Sequence, residues 1–291
     1  MAKPEVDDIS GTETTGHEWD GIKELNTPLP RWWLWTFYAC ILYAVGYTVV
    51  YPAWPLLSGA TQGLFGWNSR TQIAEELAAA KAEQAGMVEK IANSSLEAIT
   101  QDADLNQFAQ AAGLAAFKVN CVQCHGAGAA GAPGYPNLND DDWLWGGDLE
   151  AIHTTLQHGI RAGNDMTRDS QMPAFGADGI LTPVQIADVA EHVLKISGQE
   201  AEADAAMRGA QIFAENCAAC HGENGEGMRE MGAPKLNDAI WLFGGDRASI
   251  VAQITKPKMG VMPAWTGRLD ETTIKELAVY VHGLGGGEAT P

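Results

Sequence analysis

Two pentads carry residue types and a spacing that can do chemistry: Cys121-Val122-Gln123-Cys124-His125 and Cys217-Ala218-Ala219-Cys220-His221. In Cys-x-x-Cys-His, two thiols can add to the two vinyl groups of one porphyrin. The adjoining imidazole then gives a nitrogen to the iron, so the pattern reads as c-type haem attachment. Paired thiols also suit zinc or a redox dithiol. Zinc needs further thiols or histidines at ligand spacing, and a redox dithiol needs a thioredoxin-like setting; the sequence offers neither. Four of the five cysteines lie in the pentads and only Cys40 is left over, so the chain is not a disulfide scaffold.

A soft donor for the far side of an iron comes from two further stretches, Met172-Pro173-Ala174-Phe175 and Met262-Pro263-Ala264-Trp265. A thioether suits haem iron and raises its potential, and proline after the methionine fixes the local backbone. Met166, Met231 and Met259 compete as donors, but only Met172 and Met262 share one context. The residues expected on two irons are therefore His125, Met172, His221 and Met262, with Cys121, Cys124, Cys217 and Cys220 holding two covalently bound haem c groups.

The elements that must position these residues come as an internal repeat, 104–197 and 205–286. Gly113 to Cys121 matches Gly209 to Cys217, and Trp143-Leu144-Trp145-Gly146-Gly147-Asp148 matches Trp241-Leu242-Phe243-Gly244-Gly245-Asp246. Ile152 and Leu156 match Ile250 and Ile254 on one face of a short helix. Each copy closes with a helix. Thr182-Pro183 with Gln185 opens one as a capping box, and Asp270-Glu271 opens the other. Ile186, Val189 and Val193 match Ile274, Leu277 and Val281, and His192 aligns with Tyr280. These closing helices are expected to cross the Gly113/Phe117 and Gly209/Phe213 helices, glycine allowing close approach. Segment 198–204 is a short polar linker, so the copies should pack together. His153, His158, His192 and His282 lack histidine counterparts in the other copy and suit surface or supporting roles. Arg161 and Arg247 are candidates to pair with haem propionates.

At 291 residues the chain has room for about two domains plus extensions, and 18 basic against 37 acidic residues argue against nucleic acid. Residues 1–30 are polar, without a removable signal peptide's pattern, and are expected to form no stable core. Trp32 to Tyr51 carries no charge, and a helix of about 20 residues rises roughly 30 Å, the thickness of a bilayer's hydrocarbon core. Aromatic residues sit at both ends and Pro30, Pro52 and Pro55 bracket the run, so 31–55 reads as a transmembrane anchor. Residues 56–103 read as a helical tether, Ala, Glu, Lys and Gln dominating 71–99. Resemblance of the pentads to those of c-type cytochromes implies assembly outside the cytoplasm, which would put the N-terminus inside and the haem domains in the periplasm.

The head before the span, His17 to Trp33, and Tyr51-Pro52-Ala53-Trp54-Pro55 after it are more specific than the haem pentads. Through them the chain resembles the CcoP (FixP) family, the membrane-anchored dihaem subunits of cbb3-type cytochrome c oxidases. The resemblance implies an all-α chain with one N-terminal transmembrane helix and two tandem class I cytochrome c domains. It implies that Cys121, Cys124 and His125 share a haem with Met172, and Cys217, Cys220 and His221 share one with Met262. It implies electron transfer from a soluble or membrane-bound donor cytochrome c towards the monohaem and catalytic subunits of the oxidase, in a bacterial inner membrane. The subunit itself would carry no catalytic residue. The rival readings are a free-standing anchored dihaem carrier, a dihaem peroxidase, which needs an open axial position, and a structural assembly subunit.

Overall fold

The computed structural model describes residues 5–289 and resolves into two compact units, one up to Glu83 and one from Gln84 onward. In the first unit the polar head forms a hairpin, β1 (Thr14–Trp19) and β2 (Ile22–Leu25), with Glu18 opposite Lys23 and Trp19 opposite Ile22. Its turn, Asp20-Gly21, has positive φ at both residues, the pairing that matches strand twist in a two-residue hairpin loop. Thr14 is buried and Lys23 pairs with Glu5, so the head has local order where the polar composition predicted none.

Helix α1 (Arg31–Val50) buries no residue and is apolar on all sides. It is the one helix among the described residues long and apolar enough to cross a membrane. A second small hairpin, β3 (Pro55–Leu56) with β4 (Gly59–Ala60), follows it. Then comes α2 (Ser69–Asn93), which runs on into the second unit.

The second unit is helical: α3 (Leu96–Gln101), α4 (Ala103–Asn120), α5 (Val122–His125), α6 (Leu149–His158), α7 (Pro183–Ile196), α8 (Ala203–Asn216), α9 (Ala218–His221), α10 (Arg247–Thr255) and α11 (Glu271–His282). The caps follow the sequence signals. Thr182 and Gln185 form the capping box of α7, and Asp270 accepts from the Thr273 amide at the start of α11. The end of α2 is no spacer. Ile91, Leu96 and Ile99 are fully buried in the first haem core, and the Lys275 ammonium donates to the carbonyls of Ala92 (2.9 Å) and Ser94 (2.8 Å).

The two cores do not follow the two sequence copies. Helix α7, which closes the first copy, packs on α8, which opens the second; α11, which closes the second, packs on α4, which opens the first. A Cβ on Gly209 would lie 1.9 Å from the Asp188 carbonyl oxygen, and one on Gly113 would lie 2.3 Å from that of Glu276. Phe213 meets the His192 ring at 5.0 Å, and Phe117 meets Tyr280 at 5.4 Å. The expected glycine–aromatic crossings are thus present, but each lies between copies. The connection Ser197–Glu202 accounts for this, since helices joined by so short a link pack as antiparallel neighbours. The C-terminal tail completes the exchange: Trp143 Nε1 donates to the Gly286 carbonyl at 2.7 Å, and the Gly147 amide donates to Glu288 at 2.8 Å.

Candidate haem sites

Each pentad forms a single turn at the end of an opening helix. Cys121 ends α4 and Cys217 ends α8; the carbonyl of each accepts from the histidine amide of its own pentad at 2.9 Å. That turn puts both thiols and the imidazole of a pentad on one short piece of backbone. Burial, with the neighbouring Cys124 or Cys220, pushes the thiols of Cys121 and Cys217 up to about 11. Such thiols stay protonated, the opposite of the lowered pKa that a redox dithiol requires.

The histidines are oriented alike. His125 Nδ1 lies 3.1 Å from the Pro136 carbonyl, and His221 Nδ1 lies 3.0 Å from that of Pro234. A carbonyl can only accept, so Nδ1 carries the proton and Nε2 keeps its lone pair for a metal. Burial lowers the pKa of both imidazoles and favours this neutral form.

Beside the second pentad lies a cavity of about 700 Å³. Cys217, Cys220 and His221 line it, and so do Phe213, Trp241, Ile250 and Ile254 from the second copy. Two methionines line it, Met172 from the first copy and Met259 from the second, and of these Met172 packs against the same core as Cys217. The matching arrangement holds at the first pentad, where Met262 packs against the core containing Phe117, Cys121, Leu156 and Leu277. Each methionine thus packs beside the pentad of the other copy, whereas the resemblance implies one haem shared by Cys121, Cys124, His125 and Met172 and another by Cys217, Cys220, His221 and Met262. Each methionine travels with its closing helix, and the closing helices have changed places.

The methionine loops are pinned where they arrive. Ile160 and Met262 exchange backbone hydrogen bonds of 2.9 and 3.0 Å, and the Trp265 amide donates to the Leu156 carbonyl at 3.0 Å, fastening the loop to the end of α6. In the other core the Ala177 amide donates to the Thr255 carbonyl at 3.0 Å, at the end of α10, and Phe175 is buried beside Ile250 and Ile254. Among the competing methionines, Met166 and Met231 are exposed, and Met259 is exposed at the edge of the cavity.

The two candidate arginines part company. Arg247 is engaged by Glu191 of α7, with Nη2 donating to Oε2 at 2.9 Å. Arg161 lines the cavity; Nε donates to the Gly260 carbonyl at 2.7 Å and Nη1 to that of Ser170 at 3.1 Å, leaving the other guanidinium hydrogens free of those bonds. His153 is buried with Nε2 2.9 Å from Glu271 but makes no hydrogen bond there, and His282 Nε2 sits 2.8 Å from the Glu288 carbonyl. The apolar walls, the paired thiols, the free Nε2 and the nearby thioether together fit haem c.

Sequence comparison agrees with this chemistry. Residues 11–58 match the N-terminal domain of cytochrome oxidase-cbb3, FixP, and residues 108–193 and 204–281 each match the family described as cytochrome C oxidase, cbb3-type, subunit III. The chain is 57% identical over 276 residues to the cbb3-type cytochrome c oxidase subunit CcoP of Cereibacter sphaeroides, covering 94% of this chain and 95% of that one. It is 55% identical over 284 residues to subunit FixP of Sinorhizobium medicae, covering 97% and 98%. With FixP of a Bradyrhizobium species it shares 56% identity over 286 residues, 98% of each. Mostly helical, with two cbb3-type cytochrome repeats behind one apolar helix, the chain belongs to the CcoP/FixP family of electron-transfer subunits of cbb3-type cytochrome c oxidases.

Proposed function

We propose that the subunit holds two haem c groups by reciprocal ligation, His125 with Met262 and His221 with Met172. Bound haem c supplies an iron that changes between ferric and ferrous without making or breaking a ligand bond. The observation that carries the reading is the cavity walled jointly by His221 and Met172. Cys121, Cys124, Cys217 and Cys220 would hold haem c through thioethers, each S–H adding across a vinyl C=C, sulfur to one carbon and hydrogen to the other. His125 and His221 keep Nδ1–H on a carbonyl and present Nε2, while the methionine loops cover the opposite wall and exclude water. With both axial positions filled by the protein, the site suits outer-sphere electron transfer and opposes a peroxidase.

Helix α1 anchors the subunit as a single span, with the N-terminal hairpin in the cytoplasm and the haem unit in the periplasm of a bacterial inner membrane. Both donor selection and delivery take place there, from a soluble or membrane-bound cytochrome c towards the monohaem and catalytic subunits. The test is a pair of single-haem variants of the assembled oxidase. With Cys217 and Cys220 replaced by alanine, Met262→Ala should lower the potential of the remaining haem and abolish its methionine-to-iron absorption, while Met172→Ala should leave both unchanged. The reverse dependence would overturn reciprocal ligation. If a single-haem variant fails to assemble, hydrogen exchange on intact two-haem protein decides: Met172→Ala should loosen Arg247–Thr255 and spare Leu149–His158.

A further inference from the structure

The stretch without charge does not end where α1 ends. From Trp32 to Ser69 there is no Asp, Glu, Lys, Arg or His, yet the helix stops at Val50. The residues beyond it fold back on the helix terminus. The Leu64 amide donates to the Val49 carbonyl at 3.1 Å and the Phe65 amide to that of Val50 at 3.3 Å, while the Tyr51 amide closes on Tyr47 at 2.9 Å. The Val49 and Val50 carbonyls are ones that a helix end in water leaves to solvent. The approach is so close that a Cβ on Gly63 would fall 2.2 Å from the Val50 carbonyl oxygen.

The loop also satisfies its own backbone. Thr61 Oγ1 accepts from the Trp54 amide at 3.2 Å, and the Thr61 amide donates to the Trp54 carbonyl at 2.9 Å. The hairpin of β3 and β4 then lifts Leu57 to its tip, fully exposed. Trp54, Leu56, Leu64, Phe65 and Trp67 are exposed with it, and Tyr51 meets Phe65 and Trp67 edge-on at 5.8 and 6.0 Å.

We propose that residues 52–67 form a collar that sits in the lipid interface at the outer end of the span, with Leu57 inserted among the headgroups and upper acyl chains. Three observations select lipid as the occupant. The segment is covalently continuous with the anchor and shares its lack of charge. Part of its backbone is paired internally, through the β3–β4 hairpin, Thr61 and the bonds to Val49 and Val50, as a region poor in water favours. Its exposed residues are the Trp, Tyr, Phe and Leu of an interfacial belt. In place of a helix that ends in water, the chain thus has a folded plug on top of the span, and its first charge is Arg70.

The inference rests on α1 being the membrane anchor, and the experiment separates the two. The full-length subunit is prepared with Cys40→Ser, its haem cysteines being alkylated by haem, and single cysteines are placed at Leu57, at Leu42 within α1 and at Glu83 on exposed α2. Each is reconstituted into vesicles of phosphatidylethanolamine and phosphatidylglycerol and treated with a charged, membrane-impermeant maleimide. Leu57→Cys should react at least tenfold more slowly than Glu83→Cys and regain its rate in sodium dodecyl sulfate, with Leu42→Cys protected throughout. A protected Leu42→Cys beside a fast Leu57→Cys would overturn the collar and leave the anchor standing. A fast Leu42→Cys would overturn the anchor itself. Protection of Leu57→Cys in the whole oxidase but not in vesicles would assign the surface to a partner subunit and overturn the lipid proposal.

Discussion

Replacing Gly209 by alanine should loosen the helix that carries Met172, not the helix that closes Gly209's own sequence copy. The new Cβ would sit 1.9 Å from the Asp188 carbonyl oxygen, where ordinary contact begins near 3.4 Å, so α7 and α8 would have to part by roughly 1.5 Å at the crossing. Overpacking of this kind costs about 1–3 kcal/mol, and a carbonyl oxygen cannot swing aside as a side-chain tip can. Alanine returns up to about 1 kcal/mol through its better helix propensity. The net loss, ~1–2 kcal/mol, corresponds to a roughly 5–30-fold change in a folding equilibrium. Hydrogen exchange resolved by segment reads this directly. In Gly209→Ala, amides of Pro183–Ile196 should lose protection by about that factor while Glu271–His282 keeps its own. Gly113→Ala, whose Cβ meets the Glu276 carbonyl at 2.3 Å, should give the mirror result. Loosening of Glu271–His282 by Gly209→Ala would show that each copy closes on itself, and the reciprocal arrangement would be refuted.

Two pH-dependent effects separate the two crossings. Glu276 is only 6% exposed in the α4–α11 crossing, and burial, with the nearby Asp270 carboxylate, raises its pKa to about 7. A carboxyl raised in the folded state destabilises as it ionises, so the penalty is absent below the ordinary carboxylate range, grows between about 4.5 and 7, and is full above that. At about 1.4 kcal/mol per unit, and discounted for solvent screening, Glu276→Gln should stabilise by ~1–2 kcal/mol at pH 8 and by nothing near pH 4; an equal effect at both would remove ionisation as the cause. The aligned Asp188 has a partner, Arg208, whose Nε and Nη2 donate to it at 2.9 and 2.6 Å and hold its pKa below the ordinary value. That contribution exists above the ordinary carboxylate range and disappears as acid protonates Asp188. Arg208→Ala should therefore lower the thermal midpoint at pH 7 and match the parent protein in strong acid.

Much of the site was legible because its chemistry is local. The thiols and histidine of each pentad lie on one turn, and Met-Pro-Ala marks both methionine loops that reach the cores. The caps of α7 and α11 sit where Thr182, Gln185 and Asp270 predict them. Which methionine faces which histidine is a different kind of information. Gly113 and Gly209, Phe117 and Phe213, Tyr280 and His192 are interchangeable at their crossings, so a copy can close on itself or on its twin with the same types of contact. Only the brevity of Ser197–Glu202 distinguishes the two, and it was read merely as bringing the copies together. The hairpin of the polar head was marked by Asp20-Gly21, a strong turn signal outweighed by composition. The role of Ile91, Leu96 and Ile99 was hidden because an Ala/Glu/Lys-rich helix with sparse apolar residues looks like a spacer until its end reaches a core.

The exchange of closing helices also sets a timetable for a chain that emerges from its N-terminus. Helices α7 and α8 are neighbours in sequence, so their crossing can form as soon as Asn216 is out, and loop closure costs little. Helix α4 must wait for Glu271–His282, the last helix made. The older of the two cysteine pairs, Cys121 and Cys124, thus stays accessible longest, until Glu271–His282 has been made. The younger pair emerges when the helix that will wall it in, α7, has already arrived.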